Sequence, residues 1–342
     1  MTVSVPMKYL LIISALIFST VTPLLALVSS AAAAPTNTDN SASAAQGMQI
    51  SPALVELNGE AGKSYSIQLK VLNVTASDLL FHSSVNDFSA KDETGTPSVA
   101  FDTAVPSTAS IRQWVDGIPD FSLRTHQSKT IDAVVTIPGN AEPGGHYGVI
   151  RFSGRDPTLS GKGVAQTASA GTLVLVRVAG VVKENLDLIT FQASKNGKTS
   201  AFFEDGPITF VQRYQNTGSV HVKPIGQIEV RDSFGNKVAT LPVNSAKGNV
   251  LPLSIRRFES TFSKDWFFGH YTADISVAYG STGQAIVQTI SFWVIPYKLL
   301  LAALFVLITI IYIFRTLLKR YNSYIIKQAR KSNAKTTKKN KK

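Results

Sequence analysis

Ser64 to Val71 alternates without a break, with Tyr65, Ile67, Leu69 and Val71 on one side of an extended chain and Ser64, Ser66, Gln68 and Lys70 on the other. Side chains repeat every two residues along a strand and every 3.6 along a helix, so this segment buries one face only as a half-buried strand. Thr130 to Ile137 repeats the pattern with Ile131, Ala133, Val135 and Ile137 inward. It stops at Pro138-Gly139-Asn140, where a missing donor and αL-tolerant residues turn the chain. Further strands are expected at Ile50 to Leu57, Leu79 to Asp87, Tyr147 to Ser153 and Thr172 to Val182, and no amphipathic helical run of useful length interrupts them.

A second group begins near Glu184. Leu186 to Ala193, Ile208 to Tyr214, Ile225 to Val230, Lys237 to Leu241, Val250 to Phe258, Tyr271 to Tyr279 and Ala285 to Val294 read as strands, with Gly235-Asn236 as a hairpin turn. Seven strands in about 110 residues suit an immunoglobulin-like sandwich. The expected fold is all-β: two tandem immunoglobulin-like β-sandwiches, at residues 48–183 and 184–293. The two groups echo each other in order. Asn73, then Gly144 and Gly145 before Tyr147, stand in the first; Asn216 and Gly218, then Gly269 before Tyr271, stand in the second. Each Asn is expected to end a strand by bonding local backbone, and each Tyr hydroxyl to tie back to backbone as in a tyrosine corner.

Both ends carry targeting signals. Lys8, an apolar run from Tyr9 to Ala26 and small residues from Ser29 to Ala34 read as a secretory signal over residues 1–33, with cleavage leaving Ala34 first. Residues 34–47 are a flexible leader of small polar residues that cannot bury a core. Near the other end, residues 295–314 supply twenty residues, about 30 Å of helix, matching a hydrocarbon core. Lys298 sits near one end, and Trp293, Tyr297 and Tyr312 are placed as interface aromatics.

The formal charge of +12 arises from 34 Lys+Arg against 22 Asp+Glu, but residues 315–342 alone hold eleven Lys/Arg and no acid. That basic tail places its end of the helix in the cytoplasm and the body outside, a single-pass type I arrangement. Its last sixteen residues interleave no aromatics with the charges, so nucleic-acid binding is not expected; a stop-transfer and anionic-lipid role is. The remaining body is close to neutral. No LPxTG-like site precedes the helix, so the helix itself reads as the anchor.

Cysteine is absent, which removes disulfides, thiolate nucleophiles and zinc ribbons. The five histidines (His82, His126, His146, His221, His270) are dispersed, with no HExxH frame, nucleophile elbow or phosphate loop. No cofactor or metal is expected. Acidic residues in Asp87 to Glu93 offer a cation contact or a solvated loop. A surface hydrolase would need Asp87, Asp92, Asp116 or Asp120 gathered around one histidine. Trp114 is either core or a binding aromatic, and Trp266-Phe267-Phe268 divides the same way. The Arg155 to Ala170 segment is too polar for a strand and reads as a mobile or contact loop.

Three stretches carry a family resemblance: ISPALVELNGEAGKSYSIQLKVLN with Ile50-Ser51-Pro52, Gly62 and Asn73; IPGNAEPGGHYGVIRFS from Ile137 to Ser153; and NTGSVHVKP from Asn216 to Pro224. Together with the signal and anchor, they make the chain resemble the WxL-interacting proteins of Gram-positive-type bacteria. The resemblance implies a first domain that grips peptidoglycan or another cell-wall glycan and a second that docks another surface protein. It identifies no glycan contact; Arg112, Trp114, Asp116 and Asp120 are candidates from their polar-aromatic clustering. The expected function is a non-enzymatic, membrane-anchored surface protein. The alternative is an adhesin or assembly scaffold that works by strand addition without touching glycan.

Overall fold

The computed structural model describes residues 47–101, 108–116, 118–155 and 168–339; the expected signal segment, nearly all of the leader and most of the Arg155 to Ala170 loop lie outside the described residues. The fold is all-β, two immunoglobulin-like sandwiches followed by one helix. The first sandwich contains β1 (Met48–Ser51), β2 (Leu54–Gly59), β3 (Ser64–Asn73), β4 (Leu79–Ala90), β5 (Pro97–Ala100), β6 (Phe121–Leu123), β7 (Ser128–Thr136), β8 (Gly144–Arg155) and β9 (Ala168–Val178). One sheet runs β1-β3-β7; the other runs β2-β9-β8-β4, with β5 and β6 both on β4.

The single strand expected over Ile50 to Leu57 is two. β1 pairs antiparallel with β3, and β2 then joins β9 in parallel in the opposite sheet. Pro52 lies between them and has no N–H to continue the ladder, so the chain changes sheets there.

The second sandwich contains β10 (Leu186–Lys195), β11 (Lys198–Thr199), β12 (Phe202–Phe203), β13 (Ile208–Asn216), β14 (Ile225–Asp232), β15 (Lys237–Val243), β16 (Ile255–Phe262), β17 (Gly269–Tyr279) and β18 (Gln284–Val294). Its sheets run β11-β10-β13-β16 and β12-β18-β17-β14-β15. β16 starts five residues later than Val250, where the sequence pattern began it. Val250 makes only an isolated bridge to Val222, and Pro252 with Leu253 at φ 57° breaks the extended run.

Each sandwich has its own core, Phe81, Leu69, Ile150 and Phe152 in the first, Phe210, Tyr214, Ile275 and Phe292 in the second. The two asparagines play the same part. Asn73 Nδ2 donates to the carbonyls of Ser77, Leu123 and Arg124, and its Oδ1 accepts from Thr75 N–H. Asn216 Nδ2 donates to Val220 and Val250 carbonyls at 2.8 Å each, and its Oδ1 accepts from Gly218 N–H. Both are fully buried, where unpaired carbonyls would each cost free energy. The tyrosines differ. Tyr271 donates to Phe268 O at 3.2 Å, a tie to nearby backbone, whereas the Tyr147 hydroxyl accepts from His221 N–H at 3.0 Å, a bond into the other sandwich.

The last element is α1 (Tyr297–Lys339), which begins immediately after Pro296 and is long and apolar enough over Tyr297–Gln328 to cross a membrane. It runs on beyond residue 314, because residues 315–339 contain neither Gly nor Pro to stop it.

Candidate functional site

The two sandwiches are fastened to each other by residues for which sequence reading gave no such role. Glu93, on the turn between β4 and β5, takes a two-pronged bond from Arg213 of β13, and its carbonyl accepts from Arg257 N–H at 2.7 Å. The acidic stretch is therefore neither a solvated loop nor a cation contact at Glu93. Glu56 of β2 accepts from Lys223 at 2.5 Å and Asn249 at 2.6 Å. Burial pushes the Glu56 carboxyl up, but the Lys223 and Asn249 bonds outweigh it and hold it below the usual range. The Arg256 guanidinium sits against Gly95 of the first sandwich and Gly248 of the second, donates to Asn249 O at 2.6 Å, and lines a cavity of about 230 Å³. Burial lowers its pKa.

His221 lies in the same junction. It is half of a reciprocal pair: its N–H donates to the Tyr147 hydroxyl, which stands 3.3 Å from His221 Nδ1. Burial pushes the imidazole down to about 4 and the Tyr147 phenol well above its ordinary value.

The four candidate glycan contacts bond to different partners. Arg112 is half-buried, with Nη1 4.0 Å from Asp87 Oδ2. Trp114 is 8% exposed and packs its ring on His146 at 4.4 Å, so it belongs to the first core. Asp116 is exposed, its N–H donating to Val134 O at 3.2 Å. Asp120 is exposed and faces His82 Nδ1 at 3.1 Å, which with Ser83 N–H holds its carboxyl below the usual range. Asp92 bonds Thr94, and Asp87 accepts from Ser110. Among the described residues no group of three or more His, Asp or Glu could hold a metal ion.

Beside Trp114, however, lies a cavity of about 280 Å³ lined by Ser110, Gln113, Asn140, Glu142 and His146. His146 Nε2 donates to Glu142 O at 2.9 Å, which leaves Nδ1 as a bare acceptor, buried and without a partner among the described residues. Its position before a tyrosine gave no sign of this. Only the strand pairing brings it against Trp114.

The clearest unsatisfied surface is a strand edge. On its outer side β18 pairs, among the described residues, only with β12, at Phe202↔Trp293 and Phe203↔Val294. Trp293 N–H points outward, donating to Ala201 O at 2.7 Å. Because the β17–β18 register is continuous, the alternation of an antiparallel ladder turns the amides of Ala285, Val287, Thr289 and Ser291 to that same side. No strand among the described residues pairs with them. β10 runs alongside in the same direction but belongs to the other sheet.

Natural edges carry charge, proline or a covering segment. β7 has Lys129 and Asp132 and is bonded by Trp114 and Asp116; β16 has Arg256, Arg257 and Glu259; β15 has Lys237 and Pro242; β2 has Glu56. β18 (QAIVQTISFWV) has no charge and no proline in eleven residues, and Val287 is 69% exposed. The first sandwich shows what covers such an edge. There β2 lies in parallel along β9 over six residues, Leu54↔Leu173 to Gly59↔Val178.

No protein-family model matches the chain, and no curated protein matches it. Among solved structures it is similar to the YadV chaperone (13% identity over 72% of this chain and 100% of that one, TM-score 0.33). It is also similar to the class 5 fimbriae chaperone CfaA (13%, 71% and 98%, TM-score 0.36) and the E. coli chaperone DraB (15%, 72% and 96%, TM-score 0.31). At TM-scores this low, none of the three bears on what this chain does.

Proposed function

We propose that the chain is a membrane-anchored surface scaffold that holds a partner protein by strand addition: an extended segment of the partner lies along the outer side of β18. The observation that carries this is the row of amides and carbonyls at Ala285, Val287, Thr289 and Ser291 that no strand among the described residues pairs, on an edge without charge or proline. Main-chain bonds would supply register, and the exposed Val287, with Ile189 at the bulge of β10, would favour an apolar, alternating segment. The resemblance to WxL-interacting proteins, which implies partner docking through the second sandwich, runs the same way. α1 would be the anchor, its basic end in the cytoplasm. The test is a photo-cross-linking side chain placed at Val287 of the full chain in its own cells, with Thr240 on β15 as the control. One dominant protein adduct at Val287 and none at Thr240 is expected; equal labelling at both sites removes the proposal.

A second reading, binding of wall glycan by the first sandwich, draws support from the cavity beside Trp114. A sugar hydroxyl entering it would find the buried His146 Nδ1 as an acceptor. Co-sedimentation of the full chain with purified peptidoglycan, lost on His146→Phe, is the expected result. Retention unchanged by that substitution would exclude this cavity.

A further inference from the structure

The second sandwich has two distinct ends. Leu186, Asn216, Ser219 and His221 lie at the end that meets the first sandwich. At the opposite end, His270 pairs with Trp293 and Gly269 with Val294, three residues before α1 begins at Tyr297. Three separate segments bring large aromatics out to that end. Phe234, at the tip of the β14–β15 hairpin, is 89% exposed, and the neighbouring Ser233 Oγ donates to His270 O at 2.9 Å. Trp266 and Phe268, in the β16–β17 connection, are 71% and 78% exposed. Phe202 of β12 is exposed beside Trp293, and Gly206 N–H bonds Asp265 O, tying that segment to the Trp266 loop.

Soluble surfaces scatter single apolar residues, but Trp and Phe gathered on three loops at one end are a patch that calls for an occupant. The occupant is set by continuity: the chain leaves this same end as the helix that is apolar enough to cross a membrane. Aromatic rings concentrate at the headgroup level of a bilayer, and lysines beside them meet anionic headgroups. Lys264 stands 6.0 Å over the Phe267 ring, and Lys198 opens β11, paired with Lys195 across the hairpin at this end.

We infer that the α1-facing end of the second sandwich is itself a lipid-binding surface, with Phe234, Trp266, Phe268 and Phe202 seated in the bilayer interface. This rests on α1 being the membrane span but not on strand addition at β18. The sandwich then stands on the membrane on several aromatic feet instead of swinging from one helix, and the first sandwich is held at the far end. Eleven residues of β18 at about 3.3 Å each set that end roughly 35 Å away.

The absence of cysteine makes the test clean. Phe268→Cys and Phe234→Cys, on separate loops, are each labelled with an environment-sensitive fluorophore in the full chain reconstituted in phosphatidylcholine vesicles, with and without phosphatidylglycerol. Val181→Cys, fully exposed at the junction of the sandwiches, is the reference. Brominated lipid should quench both loop labels by roughly half or more, since interfacial groups sit about 5–10 Å into the boundary, and leave the Val181 label unchanged. Retained β-sheet circular dichroism verifies that each variant folds. Loop labels that stay as aqueous as Val181 overturn the inference. So do loop labels shielded from water but not quenched by brominated lipid, because that result means a protein covers the face.

Discussion

Acidification from pH 7 to 5 should loosen this protein through one residue, His221. Its imidazole is half-buried at the junction and is pushed down to about 4 from 6.5, because loss of solvent there disfavours the charged form. The unfolded chain takes up that proton near 6.5 and the folded chain does not until about 4, so over that window the unfolded state binds more protons and stability falls as the pH falls. Each pH unit is worth about 1.4 kcal/mol, giving roughly 2 kcal/mol lost by pH 5 and about 3 kcal/mol by pH 4. The Glu56 carboxyl, held below 4.5, contributes its own loss only at lower pH still, so the window from 6.5 to 4.5 belongs to His221. Protonation would also set an Nδ1–H against the Tyr147 hydroxyl, which now has that nitrogen as its acceptor. The assay is thermal unfolding of the full chain in nanodiscs at pH 7 and 5. At about 2–4 °C per kcal/mol for a body of this size, the midpoint should drop by roughly 4–8 °C. His221→Asn keeps an acceptor facing Tyr147 and cannot titrate, so it should lose most of that drop. An equal drop in both proteins would refute the reasoning.

Three further outcomes follow from the same geometry. Asn216→Ala strips two buried carbonyls and one N–H of their partner and should cost about 3 kcal/mol or more, read as a lowered denaturation midpoint. Arg213→Ala breaks a solvent-screened pair, so it should leave the global unfolding midpoint nearly unchanged while raising hydrogen exchange at the Arg257 amide, which bonds Glu93 O. Val287→Pro removes one outer amide without touching the β17 ladder. Circular dichroism should stay unchanged, and cross-linking from a photo-probe at Ser291 should fall about two- to tenfold, one lost bond being worth roughly 0.5–1.5 kcal/mol.

The alternating strands were legible because one face of each is buried. Ser64 to Val71 and Thr130 to Ile137 pair as β3 and β7, with Ser64 opposite Thr136 and Leu69 opposite Ile131. The buried asparagines were legible too, since a strand ending in Asn followed by turn residues has local backbone to satisfy. What sequence alone could not give was position across the fold. Glu93 and Arg213 are 120 residues apart and meet only because the sandwiches dock. Trp114 stood among polar neighbours in sequence and still packs on His146, because β8 brings that histidine beneath it. Short pieces such as β11 and β12 have two residues each, too few for any period to show.

The open edge of β18 has a cause in the chain itself. In the first sandwich, Pro52 releases the opening strand from β3 after four residues, and the next six are free to cover β9. In the second, β10 runs ten residues with no proline and stays on β13, absorbing its irregularity as a bulge between Leu188 and Thr190 instead of crossing over. Only Phe202 and Phe203 are left to reach β18, and they cap its last two residues beside α1. The same strand plan, read with and without one proline, thus leaves β9 covered by β2 in one sandwich and most of β18 without a pairing strand among the described residues in the other. The uncovered stretch lies on the flank between the end that bears the first sandwich and the end that bears the aromatics. A partner segment could therefore add along that flank while both ends stay engaged.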